Sequence, residues 1–163
     1  MKIVDLFAGV GGLSQGFIKA GFEVILAIEH DKLIANAYQF NHPTTTVISE
    51  DIESIEYKRL ENYLSEADVI VGGPPCQGFS QKGKRLSLND DRNFLFKYYV
   101  DIVKIAKPKF FVLENVPNIF TTLDGYFKSE IIEMFNKIGY DVSAKVLNAA
   151  DFGIPQQRKR AFF

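Results

Sequence analysis

The chain has 163 residues, 19 Lys and Arg against 20 Asp and Glu, and 47% hydrophobic residues with no Trp. That length supports one domain with a core of its own, and the near-zero balance of charge excludes a globally basic nucleic-acid binder while leaving room for a local basic patch. One Cys and two His exclude a disulfide framework and fall short of an ordinary structural zinc set, so no metal is expected and the reducing cytoplasm is the expected compartment. No run approaches the ~20 apolar residues of a membrane span, and the start MKIVDLF lacks the apolar stretch of a signal peptide.

The first predicted strand, Ile3 to Phe7, runs into DLFAGVGGLSQGF, which opens a helix over Gly12 to Ala20. A glycine-rich turn after the first strand is where an open α/β sheet places a ligand loop, because glycine admits positive φ and close approach of backbone to ligand. It is not a dinucleotide fingerprint. With Gly9 and Gly11 as the first two glycines of G-x-G-x-x-G, Ser14 stands where the third belongs. The strand Glu23 to Ile28 ends at Glu29, a position that holds ribose hydroxyls in such sheets. His30 beside it either stacks on an adenine or caps the next helix, Lys32 to Asn41. The strand Thr45 to Ile48 leads to Asp51 in ISEDI, which either meets the ligand or N-caps the residues that follow. Three strand ends thus point polar groups at one crevice, which suits an adenosine-bearing cofactor without a pyrophosphate, such as S-adenosylmethionine.

A helix over Tyr57 to Leu64 and a strand over Asp68 to Val71 precede GGPPCQGFS, which holds the sole cysteine, Cys76. A lone Cys is commonly a small buried hydrophobe, but Gly72, Gly73, Pro74 and Pro75 make a poor core strand and a stiff mount. A free thiol is only a few per cent ionised at neutral pH, so a nucleophilic Cys76 needs cations near it, and Arg158 and Arg160 are the candidates. A Cys/His hydrolase would need an imidazole base; His30 lies at the cofactor edge and His42 in a turn before Pro43. Residues Gln77 to Arg92 are polar and aperiodic, a long loop. The helix Asn93 to Ala106 is expected to pack through Phe94, Tyr98, Ile102 and Ile105. The strand Phe110 to Leu113 ends at Glu114, a helix covers Gly125 to Ile138, a strand covers Tyr140 to Leu147, and Ala161 to Phe163 begins a strand expected to lack its remainder. The alternation of apolar runs and amphipathic stretches predicts a doubly wound, mostly parallel, Rossmann-like α/β sheet. We expect one catalytic domain over residues 1 to 163, incomplete at its C-terminus.

DLFAGVGG, GGPPCQGFS, LENV and GIPQQRKR, in this order and at these separations, resemble the ordered motifs of the cytosine-5 DNA methyltransferase family from Asp5 to Phe163. The resemblance implies an S-adenosylmethionine-dependent fold and a covalent mechanism on double-stranded DNA, with the restriction-modification type as the expected setting. It makes Cys76 the nucleophile toward carbon 6 of cytosine and Glu114 the partner of ring N3, with burial at a strand end expected to favour the protonated acid. It makes Asn115 an organiser of the Cys and Glu loops, Arg158 the contact to the base carbonyl and Arg160 its support. Phe7, Gly9, Gly11, Gly12 and Pro74 are carried to the methionine and adenosine pocket, Glu29 to the ribose, Asp51 and Ile52 to the adenine, and Leu95 to a wall; the family often has a larger aromatic where His30 stands. Gln77, Ser80, Lys82, Lys84 and Arg85 would face DNA around the flipped base. The family's target-recognition region is absent, so the isolated chain is expected to bind cofactor weakly and transfer little, with a second polypeptide as one source of the missing motifs. Two alternatives stay open: the related tRNA cytosine-5 methyltransferases, which share the Pro-Pro-Cys loop, and an inactive fragment or assembly module.

Overall fold

The computed structural model describes residues 1–75 and 94–163. Among these, strands β1 (Lys2–Leu6), β2 (Glu23–Ile28), β3 (Thr46–Ile48), β4 (Val69–Gly72), β5 (Phe110–Asn115), β6 (Lys145–Asn148) and β7 (Lys159–Phe162) alternate with helices α1 (Gly12–Lys19), α2 (Lys32–Asn41), α3 (Tyr57–Glu66), α4 (Phe94–Ala106) and α5 (Tyr126–Lys137). The sheet order is β3-β2-β1-β4-β5-β7-β6. The first five strands pair in parallel, and β7 runs antiparallel to both of its neighbours. The chain builds outward from β1 through β2 and β3, then returns to add β4 on the other side. That reversal leaves a crevice at the carboxyl ends of β1 and β4.

Both faces of the sheet are covered, which is why its strands read as nearly continuous apolar runs. Ile3, Val24, Val69 and Val71 face Leu13 and Phe17 of α1. Val4, Leu6, Leu26 and Ile70 face the other way, against Leu60 and Leu64 of α3, Tyr99 and Val103 of α4, and Ile131 and Phe135 of α5. In α4 the buried residues are Phe96, Tyr99, Val100, Ile102 and Val103, while Ile105 is exposed. The expected stripe through Tyr98 and Ile105 is therefore rotated toward Tyr99, whose hydroxyl donates to the carbonyls of Ile70 and Val112.

One further expectation changes. The strand predicted over Tyr140 to Leu147 is β6, four residues long. Its ladder starts where Lys145 meets Phe162, and Tyr140 instead donates its hydroxyl to the Pro108 carbonyl at 2.8 Å. The C-terminal strand, β7, pairs with β5 and β6 over the residues present.

Candidate active site

The turn between β1 and α1 is wound through left-handed backbone at Phe7 (φ 58), Gly9 (φ 58) and Gly11 (φ 87). Glycine tolerates this conformation, but Phe7 holds it at a cost, and such strain persists only where the surroundings impose it. Glu29, buried at the end of β2, imposes part of it. Its Oε2 accepts from the Gly9 N–H at 2.9 Å and its Oε1 from the Asp31 N–H at 3.0 Å. His30 Nδ1 lies 3.0 Å from Glu29 Oε1 with its ring largely exposed. It does not cap α2; Asp31 does, accepting from the N–H groups of Leu33 and Ile34.

At the carboxyl end of β4, Gly73 lies against β5, so that a Cβ there would stand 3.1 Å from Glu114 Oε2. The Pro74 carbonyl accepts from Asn115 Nδ2 at 3.0 Å in a buried bond, and Asn115 Oδ1 accepts from the Val116 N–H at 2.9 Å. Asn115 thereby ties the Pro-Pro mount to the end of β5. Cys76, Gln77, Ser80, Lys82, Lys84 and Arg85 lie outside the described residues.

Glu114 is met from β7. Pairing of Glu114 with Phe162 puts Arg160 diagonally across on the same face, where its Nε lies 2.9 Å from Glu114 Oε1. Arg158 Nη2 is 3.9 Å from the same oxygen. Of the two arginines, Arg160 makes the tight contact. The sequence expectation of a desolvated carboxyl is not met: the Glu114 side chain is 24% exposed and shares an ion pair.

These groups open on one cleft of about 810 Å³. Of the predicted positions, Phe7, Gly9, Gly12, Glu114, Arg158 and Arg160 line it. Gly11, Glu29, His30, Asp51, Ile52, Pro74, Leu95 and Asn115 do not. Asp51 caps a 3-10 turn over Ile52–Ser54 through the Glu53 N–H, Ile52 is buried in the core, and Leu95 packs against that same core. Asp5, Phe152 and Ile154 also line the cleft, and sequence reasoning passed over them. Phe152 and Ile154 are exposed apolar residues inside the polar, glycine-bearing stretch ADFGIPQQ, a signal that could have been read. A larger hollow of about 1470 Å³ lies at the opposite end of β5, between α4, α5 and β6, lined by Lys107, Phe110 and Tyr140 among others. It lies at the wrong strand ends for an α/β ligand site. Among the described residues no cluster of His, Cys, Asp or Glu could hold a metal ion, and no helix is long and apolar enough to cross a membrane.

The glycine turn fits a methyl donor of the S-adenosylmethionine type. A Cβ at Gly9 or Gly12 would meet no atom within 4 Å, so the turn borders open space. Glu29 Oε2, which accepts from the Gly9 N–H, keeps acceptor capacity for a ribose hydroxyl.

Comparison with known proteins places the chain. The family model "C-5 cytosine-specific DNA methylase" matches residues 1–163. The chain is 46% identical to the type II methyltransferase M1.HphI of Haemophilus parahaemolyticus, over all of this chain and 45% of that protein. It is 49% identical to M.DdeI of Desulfomicrobium norvegicum, over all of this chain and 40% of that protein. A solved E. coli structure described as a prophage-encoded DNA modification methyltransferase superposes with a TM-score of 0.82 at 33% identity, over all of this chain and 45% of that one. A Spodoptera frugiperda DNMT2 structure, at 24% identity and a TM-score of 0.76, shares the fold. The chain thus spans a little under half the length of these relatives, and over that span it belongs to the C-5 cytosine-specific DNA methylase family.

Proposed function

We propose that this chain carries the methyl-donor site and the nucleophile of an enzyme that methylates carbon 5 of cytosine in double-stranded DNA, as the modification partner of a restriction system. One observation supports it above the others: Glu114, held by Arg160, opens on the same cleft as the glycine turn, and the loop that carries Cys76 leaves from Gly73 and Pro74 beside it.

Carbon 5 of cytosine is a weak nucleophile while the ring is aromatic. Cys76, as thiolate, adds to carbon 6 and breaks the 5,6 double bond, which turns carbon 5 into an enamine carbon. The electron density pushed toward N3 is met there by Glu114, which donates or shares a proton. Arg160 fixes the Glu114 carboxyl in place, and Arg158, half exposed at the cleft mouth, takes the base carbonyl. S-adenosylmethionine, when bound at the turn, supplies an electrophilic methyl group. Loss of the carbon 5 proton and departure of the Cys76 thiolate restore the aromatic ring. A base inside a duplex cannot reach this cleft, so it must leave the stack.

The test is a covalent trap. The chain is fused to the C-terminal half of a type II relative such as M.DdeI and incubated with S-adenosylmethionine and duplex DNA containing 5-fluorocytosine, whose fluorine blocks the final elimination. A denaturant-stable adduct is expected, absent in Cys76→Ser. An adduct that survives Cys76→Ser refutes the assigned nucleophile, and labelled methyl transfer into tRNA but not DNA refutes the substrate.

A further inference from the structure

Beneath the glycine turn lies a polar cluster that the mechanism above leaves unused. Asp5 is the one charged residue within the strand segment IVDL, and it is 1% exposed. Ser14 Oγ donates to Asp5 Oδ2 at 2.5 Å, and the Tyr38 hydroxyl lies 2.7 Å from that serine oxygen. The single serine proton is engaged by Asp5, so Tyr38 is the donor in the second bond. All three side chains are buried. They come from β1, α1 and α2, the elements that flank the turn.

The position explains the arrangement. The first N–H groups of a helix have no intrahelical acceptor, and α1 begins after Gly11 with no side-chain cap of its own. A capping Ser or Asp cannot stand at Gly11, because φ is 87 there and a Cβ would overlap the His42 imidazole and the Tyr38 ring. Asp5 reaches this first turn from the neighbouring strand, accepting from the Ser14 hydroxyl, and the Ser14 backbone N–H favours its charged form. The N–H groups of Gly12 and Leu13 remain, on residues that line the cleft.

We propose that Asp5, Ser14 and Tyr38 are positioning residues for the methyl donor: their buried bridge between β1, α1 and α2 holds the turn, left-handed at Phe7, Gly9 and Gly11, and aims the first-turn N–H groups of α1 at the donor's carboxylate. This rests on the donor site assigned above. Burial pushes the Asp5 carboxyl up to about 7, against the pull of the Ser14 bonds, with a smaller push from the Glu29 carboxylate. The groups that face it are Glu29 from β2, Tyr38 from α2 and Tyr99 from α4, and the His42 ring lies tilted at 50° against Tyr38 from the end of α2.

The 163-residue chain is compared with Ser14→Ala, Tyr38→Phe and Asp5→Asn by two readouts. Amide hydrogen exchange without ligand should quicken across residues 9–14 in Ser14→Ala and Tyr38→Phe while α3 and α5 keep their protection. Equilibrium dialysis with S-adenosylmethionine should show about three- to tenfold weaker binding in both, and a dependence of wild-type affinity on pH between 6 and 8 that Asp5→Asn flattens. Unchanged exchange at residues 9–14 in both hydroxyl variants overturns the relay, as does quickened exchange with unaltered affinity. A wild-type chain that binds no S-adenosylmethionine counts against the donor site itself, and the exchange readout then decides the relay alone. Tyr38→Phe keeps the ring and its packing, so it tests the hydroxyl without emptying the core.

Discussion

Gly11 and Gly12 are adjacent, yet alanine should act on them in opposite ways. At Gly11 the backbone is left-handed, and a methyl group would press on the His42 imidazole and the Tyr38 ring. The left-handed strain is about 1–2 kcal/mol for a residue with a Cβ, and overpacking of a filled site adds about 1–3 kcal/mol. Gly11→Ala should thus lose about 2–5 kcal/mol. Gly12 begins α1 with no atom within 4 Å of its would-be Cβ, so Gly12→Ala should be neutral or up to about 1 kcal/mol more stable. Its methyl group projects into the cleft instead, and S-adenosylmethionine binding should weaken. Urea unfolding followed by circular dichroism reads the first effect: with a slope of about 2 kcal/mol/M, the Gly11→Ala midpoint falls by roughly 1–2.5 M. Dialysis with labelled S-adenosylmethionine reads the second. Matching midpoints for Gly11→Ala and wild type would refute the packing argument, and undiminished binding by Gly12→Ala would refute the assignment of the open side of the turn to the methyl donor.

Asn115→Ala removes the bond that the buried Pro74 carbonyl accepts from Nδ2 and should lower stability by about 1–3 kcal/mol, with faster amide exchange at residues 72–75 as the local check. Stability should also depend on pH through Asp5, whose carboxyl is raised from 3.8 to about 7 in the fold. The native state keeps this proton where the unfolded chain has released it, so the contribution is full below pH ~4 and is lost as pH rises through about 7. Its ceiling is on the order of 4 kcal/mol, and urea midpoints compared from pH 5 to 8 should fall with pH in wild type relative to Asp5→Asn up to about pH 7 and run parallel above it. Glu114→Gln in the fused enzyme should cut methyl transfer by about 10²–10⁴-fold while S-adenosylmethionine binding by the chain holds, as scintillation counting of labelled DNA and dialysis would show.

Much of the sheet was legible because burial on both faces writes apolar runs directly into the strands; Ile3–Leu6 and Glu23–Ile28 needed no tertiary information. β6 was overdrawn because the apolar residues Val142 and Ala144 suggest a ladder that has no opposing strand before Lys145. The α4 face was misjudged for a different reason. Apolar residues surround that helix, and the hydroxyl of Tyr99, with carbonyls to reach on β4 and β5, selects the inward side. Within the site, Glu29 was legible from its place at a strand end, and Asn115 from the LENV motif that carries the resemblance. Asp5 was not pursued, although a carboxylate between Val4 and Leu6 is the kind of buried charge that calls for a partner. The partner was Ser14, the residue that spoils the dinucleotide fingerprint.

Strand β7 enters the sheet head to tail against its neighbours, and this one inversion decides who meets whom. In a uniformly parallel sheet the beginning of a four-residue strand would lie ~13 Å from the carboxyl edge, at ~3.3 Å per residue. Turned about, β7 delivers its opening residues, with Arg160 among them, to the rim where β5 finishes on Glu114 and Asn115. A sequence insertion that flipped or slipped this strand would leave the carboxylate without its cation and the rest of the architecture untouched.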